Sequence, residues 1–450
     1  MVMTISAKAK MNNDTIVAVS TPHGVGGMAV IRLSGPDAEP LALRHLSVDR
    51  LGPRKATYCR FDTLDDIIAI FYPEGYTGEA TIEISCHGSL YVQQAILQAF
   101  VDEGARLAEP GEFTRRAFIN GRIDLSQAEA VADLIDSVTP AQHRLAVSQL
   151  RGSYAQTLKQ LRQQLLDLTS LLELELDFSQ EDVEFADRPQ LRQLLATLQS
   201  SVSSLLASFR LGNALKRGIP VAIVGKPNAG KSSLLNALLG DNRAIVSDIP
   251  GTTRDTIEET FTIDAISFRF IDTAGLHESS DAIEVLGIER SRRAISDAEI
   301  ILYVHDATIP WQEPELDFKG KHLIVVNNKI DICTESPTIS FSQAHSVVNI
   351  SAKTGMGVEK LKSAMLDVIM QDAQGSLGKE VLLTNTRHYE ALQRVIQALD
   401  HVSQTMDEGV PTDLLAVDLR DALYYLGTIT GEVTSDEILG NIFGRFCIGK

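Results

Sequence analysis

The residues whose types and spacing most directly suggest chemistry are Gly225-Lys226-Pro227-Asn228-Ala229-Gly230-Lys231-Ser232-Ser233, which fit G-x-x-x-x-G-K-[ST]. In such a loop, backbone N–H groups of a glycine-rich turn and of a helix N-terminus cradle phosphate oxygens. The Lys231 ammonium would reach the β- and γ-phosphates, and the Ser232 hydroxyl would ligate magnesium. The motif requires a strand before it and a helix after it. Val221-Ala222-Ile223-Val224 reads as the buried strand, and Leu234-Leu235-Asn236-Ala237-Leu238-Leu239 as the helix. A glycine loop alone could arise by chance, so the weight falls on the motifs downstream of it.

Those are four in number and come in order, each at or beyond the end of an apolar strand or in a connecting loop. Ligands of open parallel sheets bind outside the carboxyl ends of the strands, so this placement is itself informative. Gly251-Thr252-Thr253-Arg254-Asp255 offers a threonine hydroxyl to join Ser232 on magnesium. Asp272-Thr273-Ala274-Gly275 comes after the alternating strand Ile266, Phe268, Phe270; Asp272 would hold the metal through water and the Gly275 N–H would sense the γ-phosphate. Asn328-Lys329-Ile330-Asp331 comes after Leu323-Ile324-Val325-Val326. A carboxylate at Asp331 accepts both guanine N1–H and its exocyclic amine, a donor pair that adenine lacks, so the expected base is guanine. The backbone N–H groups of Ser351-Ala352-Lys353 would meet the guanine carbonyl oxygen.

Turnover is less directly written. Ras-like enzymes orient the attacking water with a glutamine directly after Asp-x-x-Gly, and Leu276 stands there instead. The nearby polar residues are His277, Glu278, Asp281 and Glu284, and spacing does not choose among them; most read equally well as surface charges. Arg254 is the nearest arginine in cis, and a bound cation, held in part by the Asn228 carbonyl, could do the same electrostatic work.

The elements that must position these loops are set by length and periodicity. At 450 residues the chain exceeds one ordinary core, and about two to four domains are expected. No apolar run approaches the ~20 residues of a membrane helix, and the start lacks a signal-peptide core, so no membrane association and a cytoplasmic location are expected. Four cysteines, Cys59, Cys86, Cys333 and Cys447, lie far apart without a C-x-x-C pair, which argues against disulfides or zinc. The formal charge of −18 lacks the basic stripe of a broad nucleic-acid surface, so any RNA contact is local or shared with a partner.

Residues 1–10 precede a further methionine, Met11, and are expected to be disordered or a misplaced start. Strands are expected at 15–19, 28–33, 66–72 and 80–85, and an amphipathic helix around Tyr91 to Val101, giving a small α/β or α+β domain over 1–125. Helices come next: Leu158, Leu161, Leu165, Leu168 and Leu172 form one stripe, and Leu191, Leu194, Leu198, Val202, Leu205 and Phe209 another, with an acidic break at 181–184. Such stripes are seams of a bundle. Helical periodicity returns at Tyr389, Leu392, Ile396 and Leu399 and from Leu414 to Leu426. The expected fold is therefore multidomain: an N-terminal domain over 1–125, a central helical bundle formed by two chain segments (126–216 and 379–450), and an inserted P-loop α/β domain over 217–378.

The helical domain with its insertion, the strings Gly251-Thr252-Thr253-Arg254-Asp255 and Asp272-Thr273-Ala274-Gly275-Leu276, and the terminus Phe446-Cys447-Ile448-Gly449-Lys450 together resemble the MnmE (TrmE) family of tRNA-modification GTPases, from about Met11 onward. The resemblance implies a homodimer that works with the FAD-dependent partner MnmG (GidA) in a heterotetramer, the FAD entering through that partner. Together they would add a carbon-5 group, of aminomethyl or carboxymethylaminomethyl type, to the wobble uridine of certain tRNAs. It implies a potassium ion on Asn228, Ser247, the Ile249 backbone and Thr252, magnesium on Ser232 and Thr253, and Glu284 as the residue that orients the water, with Lys231 and Thr253 completing the catalytic set. Nucleotide contacts would come from Asn228, Ala229, Gly230, Lys231, Ser232 and Ser233, from Ser247, Asp248, Ile249, Pro250, Gly251, Thr252 and Thr253, from Asp272, Thr273, Ala274 and Gly275, and from Asn328, Lys329, Asp331, Ser351, Ala352 and Lys353.

For 1–125 the family implies a dimerisation domain with a 5-formyl-tetrahydrofolate-type site whose matching positions are Arg32, Glu83, Arg122 and Lys450; read alone, Arg32 and Glu83 are ordinary strand charges. Cys447 is a possible chemical group in the terminal motif or a packing residue, and Lys450 does not suit a prenylation box. Val25, His277 and Ala80 depart from the residues frequent in the family at those places. A ribosome-assembly GTPase of the Era/Der type is the alternative, although its usual basic RNA-binding module is not evident; a one-carbon transferase with an incidental GTPase is a third reading.

Overall fold

The computed structural model describes residues 14–178, 188–240, 259–264, 266–271, 292–333, 339, 341–372, 381–408, 412–444, 446 and 448–449. It contains two six-stranded sheets and a set of long helices, a multidomain arrangement. The chain divides into two compact units, Met1–Asp136 with Ala146–Gln199 and Ala391–Lys450, and Ser137–Leu145 with Ser200–Glu390. No helix among the described residues is long and apolar enough to cross a membrane.

In the first unit, β1 (Ile16–Val19), β2 (Met28–Ser34), β3 (Thr57–Phe61), β4 (Asp65–Tyr72), β5 (Thr81–His87) and β6 (Arg106–Leu107) form a sheet in the order β3-β4-β5-β2-β1-β6, antiparallel except for the β1–β6 edge. Its inward residues, among them Ile31, Leu33, Phe61, Ile67, Ile82 and Ile84, bury against Ile96 and Phe100 of the helix Leu90–Asp102. They alternate with exposed residues on β3 and with exposed or half-exposed ones on β4 and much of β2 and β5, whereas β1 is buried on both faces, Ile16 and Ala18 packing on Phe113. The register sets Arg32 opposite Glu83. Below it the helix Glu112–Ile119 carries charges on its buried side: Glu112 and Arg116 join Asp14, Glu79 and Arg106 in one ion network. Every member faces an opposite charge, the condition for tolerating charges this deep.

The helix Ser153–Phe178 buries Leu158, Leu161, Leu165, Leu168 and Leu172 and packs against the helix Thr412–Thr430. On the helix Arg188–Arg217 the seam uses Leu195 rather than the expected Leu194, and on Thr386–Asp407 it uses Val395 more than Ile396. A stripe of spacing 3 and 4 fixes a helix but leaves its rotation open by one residue. Arg192 pairs with Asp407 at 2.8 Å and Gln199 donates to Asp400 at 2.7 Å, joining these two helices. The helix Asp436–Phe443, capped by Ser435, returns the chain to Leu125 and Ala128 through Phe443 and Phe446.

The second unit contains the sheet β12 (Ala344–Asn349), β11 (His322–Asn328), β10 (Ile300–Asp306), β7 (Ile219–Gly225), β9 (Ile266–Phe270), β8 (Thr260–Ile263), in that order. All pairs are parallel except the β8–β9 hairpin. Both faces are covered: Leu234 and Leu238 with Leu361 and Met365 pack on one, Ala294, Ile295, Phe318 and the half-buried Trp311 on the other. This explains the unbroken apolar runs of β7, β10 and β11. The chain reverses its winding at β7, which opens a crevice at the carboxyl ends of β7, β10 and β11.

Candidate functional site

At that crevice β7 ends in Gly225, whose φ of +151° and close approach to β10 leave no room for a side chain; a Cβ would fall 2.3 Å from the Val304 carbonyl oxygen. The loop turns through Asn228, at φ +60°, and Gly230, at φ +97°, into the helix Lys231–Leu239. That helix starts without a side-chain cap, so its first amides remain directed into the loop. The Lys231 ammonium donates to the carbonyls of Gly225 and Lys226, both at 3.0 Å, and burial lowers its pKa from the usual lysine value. A phosphate offers a better partner than these two neutral acceptors. Lys226 is itself bonded to Gln312 at 2.5 Å.

Asn328 is the residue that assembles the crevice. It is 2% exposed; its amide donates to the Ala229 carbonyl at 2.9 Å and its oxygen accepts from the Ala352 N–H at 2.9 Å. One side chain therefore ties the phosphate loop, the Asn328–Asp331 loop and the Ser351–Lys353 loop together. A Cβ on Gly230 would fall 2.3 Å from the Asn328 nitrogen, so glycine there is a condition of this contact. Ser351 is buried, accepts from Thr354 N–H through Oγ at 3.2 Å and donates its own N–H to the Met356 carbonyl at 2.8 Å. Asp331 and Lys353 are exposed beside it. Lys329 pairs with Asp306, the last residue of β10, at 2.6 Å.

The structure thus brings together Asn228, Ala229, Gly230, Lys231, Ser232, Ser233, Asn328, Lys329, Asp331, Ser351, Ala352 and Lys353, in three adjoining loops, the first turn of the helix Lys231–Leu239 and the end of β11. Ser247, Asp248, Ile249, Pro250, Gly251, Thr252, Thr253, Arg254, Asp272, Thr273, Ala274, Gly275, Leu276, His277, Glu278, Asp281 and Glu284 lie outside the described residues, as do residues 1–10, 181–184, Cys447 and Lys450. Among the described residues no group of His, Cys, Asp and Glu is placed to hold a metal ion. A separate cleft of about 450 Å³, lined by Arg292, Glu315, Asp317, Lys319 and Lys321 among others, contains none of the expected site residues.

A second constellation sits in the first unit. Arg32 donates to Glu83 Oε1 from Nε at 2.9 Å and from Nη2 at 2.7 Å, and its guanidinium lies 5.6 Å from the Phe113 ring centre. Both side chains keep about a quarter of their surface, 21% and 26%. The tail reaches the same place: the Gly449 carbonyl accepts from Ser20 Oγ at 3.1 Å and from Arg32 Nη1 at 3.5 Å, and Ile448 bridges Pro110. Arg122 lies apart in this structure's contacts, bonded to Glu74 at 3.5 Å. Sequence reasoning missed Ser20, Phe113 and Asp306. Only for Asp306 was there a visible signal, a carboxylate closing the apolar run 300–304.

Sheet order and loop placement define a P-loop nucleotide-binding domain of the Ras type, accompanied by an antiparallel N-terminal domain and long helices. The family model for the N-terminus of the GTP-binding protein TrmE matches residues 15–122, and that for the MnmE helical domain matches 125–447. A protein named tRNA modification GTPase MnmE from Porphyromonas gingivalis is 48% identical, covering 98% of this chain and 98% of its own length. One of the same name from Parabacteroides distasonis is 46% identical over 97% of this chain and 100% of its own length. The crystal structure of the G domain of the T. maritima FeoB iron transporter aligns at 29% identity over 34% of this chain and 98% of its own, with a TM-score of 0.24. The chain belongs to the MnmE (TrmE) family.

Proposed function

We infer that this chain is a GTPase, a hydrolase acting on GTP, that takes part in tRNA modification. The observation that carries the reading is the crevice tied by Asn328, in which a phosphate loop meets two loops carrying the Asn-Lys-x-Asp and Ser-Ala-Lys signatures. Full-length identity to proteins named for this activity agrees with it. Guanine nucleotide and magnesium suit the residues present. Among the described residues the Lys231 ammonium donates to neutral carbonyls, and an array of first-turn amides with a cationic side chain is an anion site. In the reaction Lys231 would bind phosphate oxygens, Ser232 and Thr253 would hold magnesium, Asp331 would select guanine, and Glu284 would orient the attacking water. Magnesium, when bound, neutralises charge that develops on the phosphates.

The finer reading extends this. A potassium ion on Asn228, Ser247, Ile249 and Thr252 would supply the cation that otherwise comes from an arginine; Asn228 itself stands at φ +60° in the loop. The homodimer and the FAD-dependent partner MnmG would add a carbon-5 group to the wobble uridine in the cytoplasm. The one-carbon unit would come from a folate of the 5-formyl-tetrahydrofolate type at Arg32, Glu83, Arg122 and Lys450. The paired guanidinium and carboxylate of Arg32 and Glu83, backed by Phe113 and partly exposed, offer the donor and acceptor that a pterin edge requires. Domain limits of 1–125, 126–216, 217–378 and 379–450 go with this reading. The test is GTP hydrolysis by the intact chain in potassium and in sodium buffer, with Glu284→Ala alongside. Potassium should raise the rate at least tenfold and Glu284→Ala should abolish it; equal rates in both salts would remove the cation, and an active variant would remove Glu284.

A further inference from the structure

The backbone of Lys329 lies at φ +68°, a left-handed conformation that L side chains rarely adopt. Within the loop its carbonyl accepts from the Ile332 N–H at 3.2 Å, and its side chain is held from outside the loop. Its ammonium donates to Asp306 Oδ2 at 2.6 Å. Asp306 closes β10 and is the direct register partner of Asn328 at the end of β11. The other oxygen, Oδ1, accepts from the Thr308 N–H at 3.0 Å and from its hydroxyl at 2.7 Å. Around this pair the two loops are joined again: Ala307 N–H donates to the Asn328 carbonyl at 2.8 Å, and the Cys333 thiol donates to the Ala307 carbonyl at 3.2 Å. The pair is sheltered, with 16% of the Asp306 side chain and 32% of the Lys329 side chain exposed. Burial alone would raise the Asp306 pKa, but the donors of Lys329 and Thr308 hold it below the usual carboxylate value, so it is an anion at neutral pH.

We propose that Asp306 is a positioning residue for the guanine nucleotide: it clamps the Lys329 ammonium and so holds the Asn328–Asp331 loop in its receiving conformation before any ligand arrives. The proposal rests on the guanine-nucleotide reading of the crevice. A lysine side chain ordered in advance loses no further rotamer freedom on binding, and that saving appears as affinity. Because the clamp acts through Lys329, it contributes nothing once Lys329 is shortened.

Calorimetric titration of the full chain with GDP tests this. Binding by the wild type tests the underlying reading separately; no binding sinks that reading, and the proposal with it. Asp306→Asn keeps an oxygen for Thr308 but removes the charge facing Lys329, and should raise the GDP Kd about tenfold. Lys329→Met should lose about the same factor, and the double variant should bind no more weakly than Lys329→Met alone. Thr308→Val, which removes the hydroxyl bond and leaves the ion pair, should change Kd less than twofold. The proposal is overturned if Asp306→Asn binds like the wild type, if the two single losses multiply in the double variant, or if Thr308→Val costs as much as Asp306→Asn. Should Asp306→Asn fail to fold, Lys329→Met alone decides: unchanged affinity refutes the clamp.

Discussion

Truncating Asn328 to alanine removes both bonds by which one side chain joins three loops. The partners left behind are the buried Ala229 carbonyl and the partly buried Ala352 amide. An unsatisfied buried group costs about 1–3 kcal/mol; with one partner able to reach water, the sum is about 2–4 kcal/mol. At a urea slope of about 1–3 kcal/mol per molar, the midpoint should fall by about 1–2 M. Trp311, the only tryptophan, packs on Tyr303, His305 and Phe341 in the same unit, so its fluorescence tracks this unfolding without interference from the other unit. On the proposed reading these loops receive the nucleotide, so GDP affinity should fall at least tenfold. Asn328→Asp should be worse than alanine, because it keeps the acceptor for Ala352 but sets a second oxygen against the Ala229 carbonyl. A midpoint within about 0.3 M of the wild type, or an unchanged GDP affinity, would refute the view that Asn328 assembles the site.

Two other outcomes rest on single contacts. Gly449→Ala places a Cβ 2.3 Å from the Val19 carbonyl oxygen at a φ of +92°, so the tail should lift from Arg32; calorimetry with 5-formyl-tetrahydrofolate should show at least a tenfold loss, and unchanged affinity would remove the tail from that site. Burial, and then the nearby Asp65, push the Cys86 thiol from 9.0 up to about 11. It should resist iodoacetamide at pH 8 in the folded chain, and since the unfolded chain ionises it first, the stability it contributes is present below pH 9 and declines as pH rises toward 11. Rapid alkylation of Cys86, mapped by mass spectrometry, would contradict this burial.

Much of the nucleotide crevice was legible because its chemistry is local. A phosphate loop is nine consecutive residues, and fully buried parallel strands announce themselves as apolar runs. Other parts depend on register or rotation, which sequence leaves open. Arg32 and Glu83 are 51 positions apart and look like solvent-facing strand charges; only the antiparallel pairing of β2 with β5 makes them partners. The helix Glu112–Ile119 escaped notice because its inward side carries Glu112 and Arg116, so no hydrophobic period marks it. Strand β3 was missed for the opposite reason: Tyr58 and Arg60 face water, leaving two inward residues, too few to show alternation. Asp306 draws no reading from sequence because its partner Lys329 lies in the loop beyond the neighbouring strand, 23 positions away.

The bond from Ser20 to Gly449 spans 429 positions, and its consequence concerns the order in which the protein forms. Contacts between such distant residues carry the largest loop-closure entropy and arise late unless intervening segments have already condensed. The β1–β2 hairpin can pair as soon as it exists, whereas the seat of Arg32 closes only after the helices between have brought the tail home. Two separately produced fragments, 14–136 and the remainder, would each lack half of that seat and regain it only by association.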